Sequence, residues 1–169
     1  MGDILIRQAL PEDAEDVLTF LNAVGGETDN LSYGAEGLPI TVEQEQSFLR
    51  EMEQSPHSVF LIARKGGRLV GVGSLSGQSR QRMRHRAELS VAVGKAHWGQ
   101  GVGSRLLCQL LDCARDKGIE IVSLEVRSGN ERALRLYEKY GFRRIGTFPG
   151  FFKIGDSYAD FELMYLDLR

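Results

Sequence analysis

The amino-acid sequence predicts an α/β protein: one mixed, mostly antiparallel sheet flanked by helices, in the order β-α-α-β-β-β-α-β-α-β-β. Three observations lead there. The chain has 169 residues, which suits one domain with a single core, and no repeat, low-complexity tract or linker divides residues 1–169. Two helix-type segments follow one another near the start and run into a strand hairpin. Strand and helix periods alternate only in the second half, which argues against a doubly wound parallel sheet.

Each element has its own local reason. Ile4–Leu10 is a short β-type run. Pro11 opens EDAEDVLTFLNAV, with acidic residues first and apolar ones recurring at Ala14, Val17, Leu18 and Leu21, the pattern of an amphipathic helix. Gly25-Gly26 ends it, and Glu27–Pro39 is rich in loop formers. Thr41 can cap a second helix over Val42–Met52. Val59–Ala63 and Arg68–Leu75 read as strands joined by a Gly66-Gly67 turn. A basic loop leads to a strand at Ala87–Val93, then to a glycine segment and a helix with one stripe of Leu106, Leu107, Leu110, Leu111 and Ala114. After Lys117-Gly118 comes a strand at Ile121–Val126, then a helix capped by Asn130 and stopped by Gly141. Phe142–Thr147 and Ser157–Leu166 are the last strands, with Pro149–Tyr158 as the hairpin between them.

Composition narrows the function classes. The chain is 42% hydrophobic and 26% charged, with a formal net charge of −2. Binding to a phosphate backbone usually brings a clear basic excess, so no nucleic-acid partner is expected. The one basic cluster, Arg80 to Arg86 (RQRMRHR), reads as a solvated loop before it reads as a phosphate contact. Cys108 and Cys113 lie five apart in a helical segment, on different faces, and read as reduced thiols. His57, His85 and His97 are scattered without metal-ligand spacing, so no metal is expected. The start, MGDILIRQALPEDAED, lacks a basic stretch followed by a long apolar one, and no apolar run approaches membrane-spanning length. No membrane partner is expected, and the default location is the cytoplasm.

The stretch His97-Trp-Gly-Gln-Gly-Val-Gly-Ser104 places three glycines at alternate positions before a helix. Free N–H groups and the helix dipole make such an entry turn an anion site, and absent Cβ atoms let a diphosphate come close. The dinucleotide fingerprint fails, because Leu106 or Ser104 stands where its third glycine belongs and Gly94–Trp98 separates the glycines from the strand. The NTP loop fails because Lys95 precedes the glycines instead of following them.

Trp98-Gly-Gln-Gly-Val-Gly103-Ser resembles the coenzyme A diphosphate loop of the Gcn5-related N-acetyltransferase (GNAT) superfamily, Arg/Gln-x-x-Gly-x-Gly/Ala. It departs at the first position, where Trp98 replaces Arg or Gln. A second segment, Asn130-Glu-Arg-Ala-Leu-Arg-Leu-Tyr137-Glu-Lys-Tyr-Gly141-Phe142, resembles the superfamily's Asn-x-x-Ala-x-x-Leu-Tyr-x-x-x-Gly-Phe position by position. The resemblance covers Ala87–Thr147 closely, and the element order agrees with the GNAT fold over the whole chain.

The resemblance implies an N-acetyltransferase that uses acetyl-CoA as co-substrate. Amides from Trp98, Gly99, Gln100, Gly101, Val102, Gly103 and Ser104 would hold the diphosphate, and main-chain groups of Val91 and Val93 would pair with the pantetheine arm. Tyr137 would be the general acid for the leaving thiolate, a role typically worth about 10²–10⁴-fold. Asn130 would cap its helix and reach the cofactor, and Lys139 would meet the nucleotide phosphates. Two carboxylates stand inside strand segments, Glu88 and Glu125, where burial would be costly without a partner or a function. Glu125 leads as the base that deprotonates the amine, since the LEVR segment is similar to that of ribosomal-protein N-terminal acetyltransferases. Glu88 stands on the strand where other family members place a base acting through water.

The acceptor pocket would be lined by Glu27–Pro39 and Pro149–Tyr158. Glu27, Asp29 and Tyr33 are the candidate contacts there, beside Glu36, and their acidity suits a cationic amine. Phe148, Phe151, Phe152 and Tyr158 would form an apolar wall or close the core. A small-molecule amine is preferred. The alternatives are a protein N-terminal or lysine acceptor, and a non-catalytic acyl-CoA-binding sensor. A homodimer is left open.

Overall fold

The computed structural model describes residues 2–169. In chain order it contains β1 (Ile4–Gln8), a 3₁₀ turn (Pro11–Asp13), α1 (Ala14–Gly25), α2 (Val42–Gln54), β2 (Val59–Lys65), β3 (Arg68–Gly77), β4 (Arg86–Val93), a second 3₁₀ turn (Lys95–His97), α3 (Val102–Asp116), β5 (Ile121–Arg127), α4 (Glu131–Lys139), β6 (Arg143–Ile154) and β7 (Ser157–Asp167). The seven strands form one sheet in the order β1-β2-β3-β4-β5-β7-β6. Every neighbouring pair is antiparallel except β4 with β5.

Alternation along the strands divides the core in two. Phe60, Ile62 and Val72 face α1 and α2, where they meet Val17, Phe20, Leu49 and Met52. Val59, Leu61, Leu75, Leu89 and Leu124 face α3 and α4, where they meet Leu106, Leu107, Leu110 and Leu134. The helix α3 lies almost on the backbone of β3. A Cβ at Gly71 would stand 2.9 Å from Val102 Cγ1, and one at Gly73 would stand 2.8 Å from Leu110 Cδ1. Those two glycines set how close α3, and the loop that starts it, comes to the sheet. Thr41 caps α2 by accepting from Gln44 N at 3.1 Å, while the Gln44 side chain accepts from Thr41 N at 2.8 Å.

The last hairpin differs from expectation. The sequence pattern ends the first of these strands at Thr147, with Pro149–Tyr158 as the hairpin, but β6 continues to Ile154 and pairs with β7 as far as Ile154↔Ser157, leaving Gly155 and Asp156 as the turn. Pro149 and Gly150 make a bulge instead: the register passes from Phe148↔Phe161 to Phe152↔Ala159. Gly150 takes φ +65°, and its N–H donates to Asp160 Oδ1 at 2.9 Å. A proline is tolerated because β6 is the sheet's edge strand.

Asp13 ties the first strand to α1. Its carboxylate accepts from Arg7 at 2.7 and 2.8 Å, from Leu10 N at 2.8 Å and from Arg64 at 3.2 Å. The Arg7 guanidinium chiefly holds its pKa at about 2, below the usual carboxylate value. With the folded value below the unfolded one, this stabilisation is complete above about pH 4 and is lost as pH falls towards 2. Replacing Asp13 with Asn should cost about 1–3 kcal/mol in urea unfolding at pH 7. The gap from the wild-type protein should close as the same measurement is repeated at falling pH.

Candidate active site

The site begins where β4 and β5 part. They pair in parallel over only three positions, Arg86↔Ile121 to Glu88↔Ser123. Beyond that β5 stays bonded to β7, from Ile121↔Asp167 to Arg127↔Phe161. Gly94 N donates to Val70 O at 3.0 Å across β3 and β4. By antiparallel alternation, Gly94, Ala92 and Ser90 therefore bond to β3, while Val91 and Val93 turn their N–H and C=O towards the gap. A cavity of about 860 Å³ opens there, lined by Val91–Val93, the glycine segment, α4 and the start of the α1–α2 loop.

The glycine segment closes one end. Gly99 (φ +73°) and Gly101 (φ +83°) lie in the left-handed region, and Gly101 is the N-cap of α3. Gly103 falls inside the first helical turn. A Cβ on Gly103 would only touch Leu136 Cδ2 at 3.5 Å and Val93 Cγ2 at 3.6 Å, so the fold alone does not demand glycine there. Trp98 has a structural role of its own: its indole Nε1 donates to Val93 O at 2.9 Å. Gln100 turns outward, accepting from Lys65 Nζ at 2.9 Å, and Ser104 bonds to the Tyr140 hydroxyl.

The α4 helix supplies the other wall. Asn130 caps it, accepting from Ala133 N at 3.2 Å, and borders the cavity. Tyr137 is buried with its ring edge-on to Phe142, and it also lines the cavity. Burial pushes its phenol up to about 12, so it holds its proton across the neutral range. Lys139 lines the cavity too, and so do Lys95, Arg127, Arg132 and Arg135, which the sequence reading did not place at the ligand. None of these five cations forms an ion pair among the described residues. The spacing of Arg132, Arg135 and Lys139 is i, i+3, i+7, which puts them on one helix face, and that signal was available in the sequence. The basic run Arg80–Arg86 lies at the N-terminal end of β4 and does not border the cavity.

The strand carboxylates are not buried. Glu88 and Glu125 are exposed, and neither forms an ion pair with Arg86, Arg127 or any other described residue. They alternate away from Leu89 and Leu124, onto the face of the sheet that carries α1 and α2 over its other strands. Neither borders the cavity that holds Tyr137.

On the 27–39 loop, Glu27 and Asp29 border the cavity but Tyr33 does not. Glu27 is engaged, its Oε2 accepting from Lys95 N at 2.8 Å. Tyr33 lies against Gly25, where an added Cβ would come within 2.6 Å of its ring, and burial pushes its phenol up to about 12. Glu36 accepts from Gly34 N at 2.9 Å within the loop. Phe151, Phe152 and Phe161 stack at 4.3 to 5.3 Å, whereas Phe148 and Tyr158 are exposed.

A helix-entry glycine loop and a splayed strand pair border one cavity with Tyr137, an arrangement that suits an acyl-CoA-dependent N-acyltransferase. The sequence profile of the Acetyltransferase (GNAT) family matches residues 30–142, and the chain belongs to that family. It is 38% identical over 113 residues to the N-alpha-acetyltransferase RimI of Mycobacterium tuberculosis, covering 67% of this chain and 69% of that one. It is 31% identical over 111 residues to the L-amino acid N-acyltransferase MnaT of Escherichia coli, covering 64% and 63%. An acetyltransferase of the GNAT family from Streptococcus pneumoniae has the same fold, with a TM-score of 0.95 and 33% identity over 99% of this chain and all of that one (100%). Among the described residues no group of three or more metal-type ligands occurs, and no helix is long and apolar enough to cross a membrane.

Gly103 gives a test of the loop. Gly103→Ala should leave the thermal midpoint of the free protein within a degree or two, since the new methyl meets only ordinary contacts. Gly103 lines the cavity, so the added methyl should weaken coenzyme A binding, measured by calorimetry, by roughly tenfold or more.

Proposed function

We propose that this protein moves an acetyl group from acetyl-CoA to a primary amine, with a small-molecule amine as the preferred acceptor. The single observation that carries this is the parting of β4 from β5, which turns the Val91 and Val93 main chain towards a cavity bounded by the glycine loop and Tyr137. A pantetheine arm needs such an open strand edge for its amides. Its diphosphate needs loop N–H groups and cations, and the glycine segment with Lys95, Arg132, Arg135 and Lys139 supplies both. Bound acetyl-CoA supplies an activated acetyl thioester. The loop and the β4 edge hold it by main-chain contacts, and the Val91 or Val93 N–H polarises its carbonyl.

An alkyl amine has a pKa near 10 and arrives charged, so a base must take a proton before nitrogen attacks the carbonyl carbon. Glu125 is the preferred base and Glu88 the other. Their exposure and lack of ion pairs leave both able to accept that proton through water. As the C–N bond forms and the C–S bond breaks, the nitrogen loses its second proton to water, and Tyr137 Oη gives its proton to sulfur and is reprotonated from solvent. The E. coli relative's description as an L-amino acid N-acyltransferase supports a small acceptor. The similarity to the mycobacterial N-alpha-acetyltransferase supports a second reading, a peptide N-terminus.

Coenzyme A should raise the thermal midpoint where NAD and ATP do not; stabilisation by NAD or ATP alone would sink the proposal. Thiol release from acetyl-CoA across a panel of amino acids, polyamines and peptides then identifies the acceptor. Tyr137→Phe should lower kcat about 10²–10⁴-fold and leave coenzyme A binding nearly unchanged. Because Tyr137 sits at about 12, the wild-type rate should not fall on the alkaline side through loss of this acid until above about pH 11. An acidic limb that survives in both Glu125→Gln and Glu88→Gln would remove the two carboxylates as bases.

A further inference from the structure

We infer that Trp98 is a positioning residue that moves the anion contact at the start of the diphosphate loop from the loop's own side chain to Arg132 on α4. This rests on the acetyl-CoA reading above and concerns the one position where the loop departs from the family pattern. There the pattern has a polar or cationic side chain, and this chain has an indole.

The indole is held on two sides. Its only polar atom, Nε1, is committed to Val93 O at 2.9 Å, so it offers nothing to a phosphate. That bond fixes the first residue of the loop to the last carbonyl of β4, where the strand turns its main chain towards the cavity. Over the ring lies the Arg132 guanidinium, with Cζ 5.2 Å from the ring centroid. Arg132 Nη1 reaches to 3.4 Å from the place where a Cβ on Gly99 would stand. The cation is thus parked beside the first left-handed glycine of the loop, while its residue belongs to another helix.

Arg132 has the properties of a ligand waiting for an anion. It has no carboxylate partner among the described residues, and both it and Trp98 line the cavity. Its guanidinium lies over the ring with Cζ 5.2 Å from the centroid, a contact that uses none of its N–H donors, so they can serve two phosphate oxygens. Trp98 therefore does two jobs: it pins the loop to β4, and it holds a cation from α4 beside the loop's first left-handed glycine. The pair also ties α4, which carries Tyr137, to the loop that carries the cofactor.

The test is equilibrium binding of two probes, coenzyme A and S-acetylpantetheine, measured by calorimetry at low and high salt. Arg132 is exposed, so Arg132→Ala should fold with an unchanged thermal midpoint. It should weaken coenzyme A roughly tenfold or more at low salt and flatten the salt dependence. Its S-acetylpantetheine binding should be unchanged, because that probe lacks the diphosphate. Trp98→Leu should weaken coenzyme A in the same way, and Trp98→Leu with Arg132→Ala should be no worse than the weaker single variant. Trp98→Arg on the Arg132→Ala background should recover most of the loss. Trp98→Phe keeps a ring face without the Nε1 donor, and it carries the comparison should Trp98→Leu fold poorly. Coenzyme A binding by the wild-type protein together with an unchanged Arg132→Ala, or full additivity of the two substitutions, overturns the inference alone. No coenzyme A binding by the wild-type protein overturns the function proposed above and the inference with it.

Discussion

The geometry of this protein depends on one broken pairing. Strands β4 and β5 are parallel neighbours for three residues and then part, while β5 keeps its bonds to β7 and β4 keeps its bonds to β3. A row of main-chain donors and acceptors left without a strand is costly in a buried position. Here the row lies at the edge of a cavity: Val93 O accepts from Trp98 Nε1, and the other groups can be satisfied from outside the chain. The sheet thus makes a ligand-binding edge in its own interior, and every other feature of the site is arranged around that opening.

Placement of the glycine loop follows from packing on the neighbouring strand. Gly71 and Gly73 let α3 settle against β3, which brings the N-terminus of α3 beside the end of β4. Two side-chain bonds then fix the approach: Trp98 Nε1 to Val93 O from the loop, and Glu27 Oε2 to Lys95 N from the end of α1. Glu27 therefore links the 27–39 loop to the segment entering the glycine loop, and one of its carboxylate oxygens is engaged in that link. Charge follows the same logic. The chain as a whole is −2, yet five cations without an ion pair among the described residues border one cavity, against the three carboxylates Glu27, Asp29 and Glu131, so local placement differs from composition in setting the field.

The two halves of the site differ in how firmly they are built. The cofactor half rests on secondary structure: a strand edge, a helix N-terminus and a capped helix carrying Tyr137. In the proposed function the acceptor half would rest on the 27–39 loop, whose first residues border the cavity, and on the β6–β7 hairpin, which does not border it. Phe151, Phe152 and Phe161 make a packed aromatic group there, while Phe148 and Tyr158 stand in solvent. Loops and edge strands carry specificity because they can change without disturbing a core.

By itself the sequence determined the element order, the apolar stripes of α1 and α3, the caps at Thr41 and Asn130, and the glycine spacing that marks the loop. These are local properties, set by periodicity, by φ and by side-chain-to-backbone bonds within a few residues. Tertiary structure alone decided what depends on residues far apart in the chain. It placed Glu88 and Glu125 on an exposed face, because a period of two gives the alternation but not which side a helix covers. It extended β6 through Pro149 and Gly150, because an edge strand can absorb a bulge that a local reading takes for a turn. It also brought Arg132 over Trp98 and Glu27 onto Lys95, pairs separated by 34 and 68 residues. Contacts of that span exist only once the sheet has fixed where each helix begins.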